Sequence, residues 1–244
     1  MFFKQKNSGF TLIELSIVLL IIALIVSSVL VGQELIKTAE IKATISQYED
    51  FRAGVGTFRS KYSGLPGDIK GQRDFGFIGD GNLDGYLGPI DDLSKGENTY
   101  FWNHLGASGA QFISGSFSGE GITSVPNNLN SITPVVKVGS TNWGVYGDPK
   151  NGTNYYVLGV TAAVVDGKYN TDNALSPLDA KAIDDKLDDG KPLRGIITAG
   201  SAGNKAYIEP SSSCVTSQGN IMVYFTNDKD AAKNLACTLR FKML

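Results

Sequence analysis

The sequence predicts an α+β chain. One long N-terminal helix, with a membrane half and an amphipathic half, packs on an antiparallel β-sheet globular head. Between Phe10 and Val31 the only ionisable side chain is Glu14. Ile41, Ile45, Tyr48, Phe51, Val55, Phe58 and Tyr62 then recur at steps of three and four, the period of a helix with one buried face. Further on the chain turns to short runs of β-branched and aromatic residues separated by turn signals, the pattern of strands.

The 22 residues from Phe10 to Val31 cover roughly 33 Å at helical rise, about the thickness of a hydrocarbon core. Lys4 and Lys6 stand ahead of them with no acidic residue, so the positive-inside bias keeps residues 1–9 cytoplasmic and sends the rest across. A secretory signal would have a shorter apolar run closed by a small-residue cleavage site. Nothing of that form follows Val31. The organisation expected is a leader over 1–9, a membrane-spanning helix over 10–31, its amphipathic continuation over 32–63, and a globular head over 64–244. Helix from about Thr11 to Tyr62 would be roughly 80 Å long.

A short basic leader, then Gly9-Phe10-Thr11-Leu12-Ile13-Glu14-Leu15 and a long apolar run, resembles the class III signal of type IV prepilins and type II secretion pseudopilins. The resemblance implies a cut between Gly9 and Phe10 by a prepilin peptidase, and methylation of the new terminus at Phe10. It also implies an apolar helix that stays attached and packs in the core of a helical filament. Glu14 has two readings. A carboxylate in the first helical turn is favoured by the helix dipole. The resemblance implies instead that Glu14 neutralises the terminal amine of a neighbouring subunit. Many pilins carry a proline where this chain has Val31, beside Gly32. Gly54 and Gly56 weaken the distal helix further.

The 22 basic against 24 acidic residues argue against nucleic acid as a partner. About 200 residues beyond the span make one compact domain with a real core. Cys214 and Cys237 lie in the exported part, where an oxidising compartment permits a disulfide. The resemblance implies that such a bridge pins the C-terminal region.

Gly64-Leu65-Pro66-Gly67-Asp68 ends the long helix. The run from Phe58 to Asp68 also resembles a subset of prepilin-like proteins. Asp80-Gly81-Asn82-Leu83-Asp84-Gly85-Tyr86 follows. Asp80, Asn82, Asp84, the Tyr86 carbonyl and Asp91 take the ligand positions of an EF-hand-type loop, with aspartate in place of the usual last glutamate. A structural Ca2+ and a solvated turn cluster are both open readings. Thr99 to Phe112 reads as a short helix. It contains His104, the only histidine, which argues against a histidine-based zinc site and assigns it a structural or surface role.

Strands are expected at Thr133 to Val138, Trp143 to Tyr146, Tyr155 to Val165, Gly195 to Ala199, Lys205 to Ile208, Ile221 to Phe225 and Cys237 to Phe241. Between them Ser176 caps a helix over Pro177 to Asp189, with Pro177 in its first position and Asp179 in a capping box. Asp184, Asp185, Asp188 and Asp189 crowd the end that the dipole makes unfavourable for negative charge. A solvated cluster is the leading reading there, and a cation or a basic neighbour the other.

A structural subunit of a type IV pilus or type II secretion pseudopilus is the function these features imply. Its partners would be other copies of itself, the prepilin peptidase, an assembly machine and the inner membrane before assembly. Its head would lie in the periplasm, then on a surface pilus or periplasmic pseudopilus. A minor pilin or adhesin would share the N-terminal logic and bind through its head, with Trp143, Tyr146, Tyr155 and Tyr156 as candidate exposed binders, although core packing suits them better. A membrane-tethered periplasmic enzyme is disfavoured by the lack of a nucleophile elbow, a phosphate loop and a histidine pair.

Overall fold

The computed structural model describes residues 9–70, 77–88, 96–106, 111–119, 129–139, 141–148, 151–165, 168–171, 173–200, 213–219, 221–227 and 234–243. The chain divides into two units, Met1–Glu40 and Ile41–Leu244. Helix α1, Leu12–Tyr62, contributes to both. It runs unbroken through Val31, Gly32, Gly54 and Gly56.

In the first unit α1 exposes its apolar side chains on every face, from Leu12 through Ile36. Among the described residues it is the one helix long and apolar enough to cross a membrane. No face of it is covered by the other described residues of the unit.

In the second unit the same helix becomes amphipathic as its sequence period requires. Ile41, Thr44, Tyr48, Phe51, Gly54, Val55 and Phe58 are buried, one stripe at helical spacing. Phe51 anchors it, with ring centroids 4.9 Å from Trp102, 5.4 Å from Trp143 and 6.1 Å from Tyr156. Gly54 sits where a Cβ would come within 2.8 Å of the Ile113 side chain, so the glycine that lowers helix propensity lets the segment at 112–113 close onto α1. No contact explains Gly56.

The sheet beside this stripe has five antiparallel strands. The path is β1 (Asn142–Asp148), β2 (Thr153–Val165), β7 (Thr238–Lys242) and β4 (Ile197–Gly200), with β3 (Lys168–Thr171) paired to β2. β7 takes Tyr155 to Val157 of β2, and β3 continues along the same edge from Val160. A separate hairpin, β5 (Val215–Gln218) and β6 (Ile221–Tyr224), follows. Cys214 and Cys237 are bonded and join the start of that hairpin to the start of β7. The fold is the α+β arrangement expected, a long N-terminal apolar helix with an antiparallel β-sheet head.

Among the described residues two short α-helices and a 3-10 turn at Leu129–Ser131 complete it. α2 spans Glu97–Gly106, two residues earlier at its start than expected and ending well before Phe112. α3 spans Pro177–Leu187, with the Asp179 N–H donating to the Ser176 hydroxyl at 3.2 Å as the N-cap.

The segment Thr133 to Val138 is not a strand. It makes one isolated bridge, Val135 with Asn142, because side chains of α1 take its backbone groups. Val138 N–H donates to Thr44 Oγ1 at 3.0 Å, Lys137 N–H to Gln47 Oε1 at 3.2 Å, and Gln47 Nε2 donates to the Val135 carbonyl at 2.9 Å. β3 and β5 are strands the sequence pattern missed, and Lys205 to Ile208 lies outside the described residues. Trp143, Tyr146, Tyr155 and Tyr156 are all buried, so none of them is an exposed binder.

Truncating Phe51 removes the ring that three aromatic partners share. Phe51→Ala is expected to cost about 3 to 5 kcal/mol, read as a lowered urea midpoint in full-length protein in detergent, with tryptophan fluorescence as the probe.

Candidate functional site

Gly9 and Phe10 precede α1 in irregular, exposed backbone, and Phe10 is 84 % exposed. Helix start is fixed by Thr11 and Glu14. The Thr11 N–H and hydroxyl both donate to Glu14 Oε2, at 2.8 and 2.7 Å, and the Glu14 N–H donates back to Thr11 Oγ1 at 3.3 Å. This reciprocal pair is a capping box, legible as Thr-x-x-Glu but not read from the sequence above. It gives Glu14 a local role at the helix start. Both Thr11 bonds fall on Oε2, and among the described residues no hydrogen bond falls on Oε1.

Residues 4–30 match the family model described as the prokaryotic N-terminal methylation motif. No curated protein and no solved structure matches the chain. The chain therefore carries the class III signal of type IV pilins and pseudopilins, on a helix whose apolar faces are exposed among the described residues. The match ends within the apolar span.

The head draws part of the aspartate-rich loop around acidic side chains. Asp68, from the turn after α1, accepts the Leu83 N–H at 2.5 Å on Oδ1 and the Gly85 N–H at 2.8 Å on Oδ2. Glu97, at the start of α2, accepts the Asn82 N–H at 2.8 Å. Asp84 accepts the Tyr86 N–H at 2.8 Å and the Asn82 side-chain amide at 2.9 Å. Asn154 of β2 clamps the far end, accepting the Leu87 N–H and donating to the Gly85 carbonyl.

One carboxylate oxygen each of Asp68, Asp84 and Glu97 lies within 4.8 Å of the others. Of the residues expected as ligands, only Asp84 belongs to this group. Asp80 is exposed, and Asn82 and Tyr86 enter through hydrogen bonds. Asp91 lies outside the described residues. Sequence spacing missed Asp68 and Glu97 because they come from segments on either side of the loop.

Burial pushes Glu97 up to about 7, and the negative charges of Asp68 and Asp84 push the same way against the Asn82 hydrogen bond. A carboxyl raised in the fold contributes stability that is complete below its unfolded value and lost as pH rises through about 7. In chelator, Glu97→Gln is therefore expected to raise the urea midpoint at pH 8 and change it little at pH 4.5.

His104 is fully buried. Its Nδ1 accepts the Gly67 N–H at 2.8 Å, and its Nε2 lies 3.1 Å from the Ile78 carbonyl, which assigns the neutral ring with its proton on Nε2. Its ring stacks on Phe58 at 6.0 Å. Burial lowers its pKa to about 4, against the Ile78 bond and Asp80, which raise it. This is a structural histidine that ties the turn after α1 to α2.

With the folded pKa below the unfolded one, the unfolded chain binds the extra proton, so stability falls as pH drops from about 6.5 towards 4. The cost of His104→Gln at pH 7.5 is expected to shrink by about 2 to 3 kcal/mol at pH 4.5. Paired urea titrations at the two pH values read the difference.

Proposed function

We propose that this chain is a structural subunit of a type IV pilus or a type II secretion pseudopilus. A prepilin peptidase cuts between Gly9 and Phe10 and the Phe10 amine is methylated. The chain waits in the inner membrane with its head in the periplasm, and the apolar helices of many copies then bundle into a filament. The observation that carries the reading is the methylation motif at residues 4–30, set on a helix whose apolar faces are exposed among the described residues. Lipid supplies that cover before assembly, and neighbouring helices supply it afterwards. Glu14 Oε1 then meets the terminal amine of the adjacent subunit. An ion pair in that apolar core offsets two charges that are each costly alone.

Intact mass and N-terminal sequencing of protein from native membranes test this. The expected chain begins at methylated Phe10. Glu14→Ala should be cut but depleted from sheared filaments. A chain beginning at Met1 with no filament fraction overturns the reading.

A structural Ca2+ in the head belongs to the same proposal, with Asp68, Asp84 and Glu97 as its carboxylates. What supports it is an all-oxygen group of three acids within 4.8 Å, the donor set of a hard cation. The ion would supply positive charge where like charges now face one another.

A further inference from the structure

In the head α1 carries a polar face beside its buried one. Arg52, Gly56 and Arg59 follow one another at steps of four and three, which puts them on one side of the helix, and all three are exposed. With Glu49 they open onto a cavity of about 340 Å³ between α1 and β2. Its inner wall is Val55, Tyr156 and Met243, all buried.

The cavity accounts for Gly56. Glycine inside a helix is less favourable than alanine, yet a Cβ at Gly56 would meet nothing within 4 Å, so packing does not demand it. Its missing side chain leaves open the space between the two arginines.

Tyr156, on the inner wall, is 0 % exposed, and among the described residues its hydroxyl has no hydrogen-bond partner. A buried hydroxyl left unpaired is costly. Tyr48, Phe51 and Trp102 fix the ring, with centroids at 5.8, 6.1 and 6.4 Å, so the hydroxyl cannot turn out to solvent. Burial and Tyr48 raise its pKa, while the charges of Arg59 and Arg52 act in the opposite sense, as guanidiniums near the hydroxyl do. Tyr156 therefore reaches a ligand only through this cavity.

Two guanidinium forks and a phenol all offer donors, the set that receives an oxyanion. Glu49 cancels one of the two positive charges. The single charge left suits a carboxylate better than a phosphate carrying nearly two. The Arg52 guanidinium lies 5.7 Å over the Tyr48 ring, so part of its ordering cost is met before a ligand arrives. Val55 and Met243 give hydrocarbon a surface to lie on, and the volume is at the small end for ligand pockets.

We propose that this cavity binds a small monocarboxylate. Arg52, Arg59 and the Tyr156 hydroxyl hold its oxygens, and its short hydrocarbon body lies against Val55 and Met243. The pocket lies wholly within the second unit and is independent of how the chain is processed or assembled.

The probe is sodium butyrate on full-length protein in detergent, with sodium chloride at equal ionic strength as the reference. Equilibrium dialysis of labelled butyrate is expected to show saturable binding, with the melting temperature raised by about 3 °C at saturation. Tyr156→Phe removes a hydroxyl that has no partner, so the melting temperature without butyrate should not fall, while binding weakens about tenfold. Arg52→Gln should weaken it by a similar factor. Gly56→Leu should raise the melting temperature without butyrate and abolish binding by filling the cavity.

Absence of saturable binding overturns the proposal. So does binding that survives Gly56→Leu or Tyr156→Phe, or an equal affinity for methyl phosphate. Self-association that butyrate disperses and Arg52→Gln weakens assigns the pocket instead to an acidic side chain of a second copy, and overturns the free ligand.

Discussion

Phe51 is one side chain on α1 whose ring meets Trp102 of α2, Trp143 of β1 and Tyr156 of β2. The head depends on that convergence. Tyr48, one turn earlier, reaches Phe241 of β7 at 4.8 Å, and Phe58, two turns later, stacks on His104. The apolar stripe of α1 is thus the surface against which both the sheet and α2 pack. Thr44 and Gln47, beside the same stripe, hold the backbone of 135–138. Taking α1 away would remove one wall of the core together with the polar anchors at its edge.

Local, periodic signals in the sequence found most of the architecture. The apolar span, the steps from Ile41 to Tyr62, the cap at Ser176 and the long strands each need only neighbouring residues to be seen. What escaped depended on distant partners. Val135 to Val138 have strand-like side chains, yet three of their backbone groups bond to a helix 88 to 94 positions earlier. β3 and β5 are four residues each, Lys-Tyr-Asn-Thr and Val-Thr-Ser-Gln, too short and polar to stand out from loops.

The acidic groups follow the same rule. Asp84 could be selected from loop spacing, but Asp68 and Glu97 join it only once the turn after α1 meets the start of α2. Asp184 sits in a run of charges that reads as a solvated helix end. Its burial comes from Tyr224, which arrives from a different hairpin. At both places hydrogen bonding satisfies individual oxygens and leaves the summed charge unbalanced, a condition that folding alone does not remove.

The capping box at Thr11 and Glu14 has a consequence for proteolysis. The bond after Gly9 lies outside every hydrogen bond that starts α1, since the Leu15 N–H donates to the Thr11 carbonyl and the Thr11 N–H to Glu14. Among the described residues, none of the bonds that start α1 reaches back past Gly9. The proposed cut after Gly9 would fall in irregular backbone and would leave the described turns of α1 in place. Such a cut would change the charge and length of the terminus and break none of the hydrogen bonds described at the start of α1.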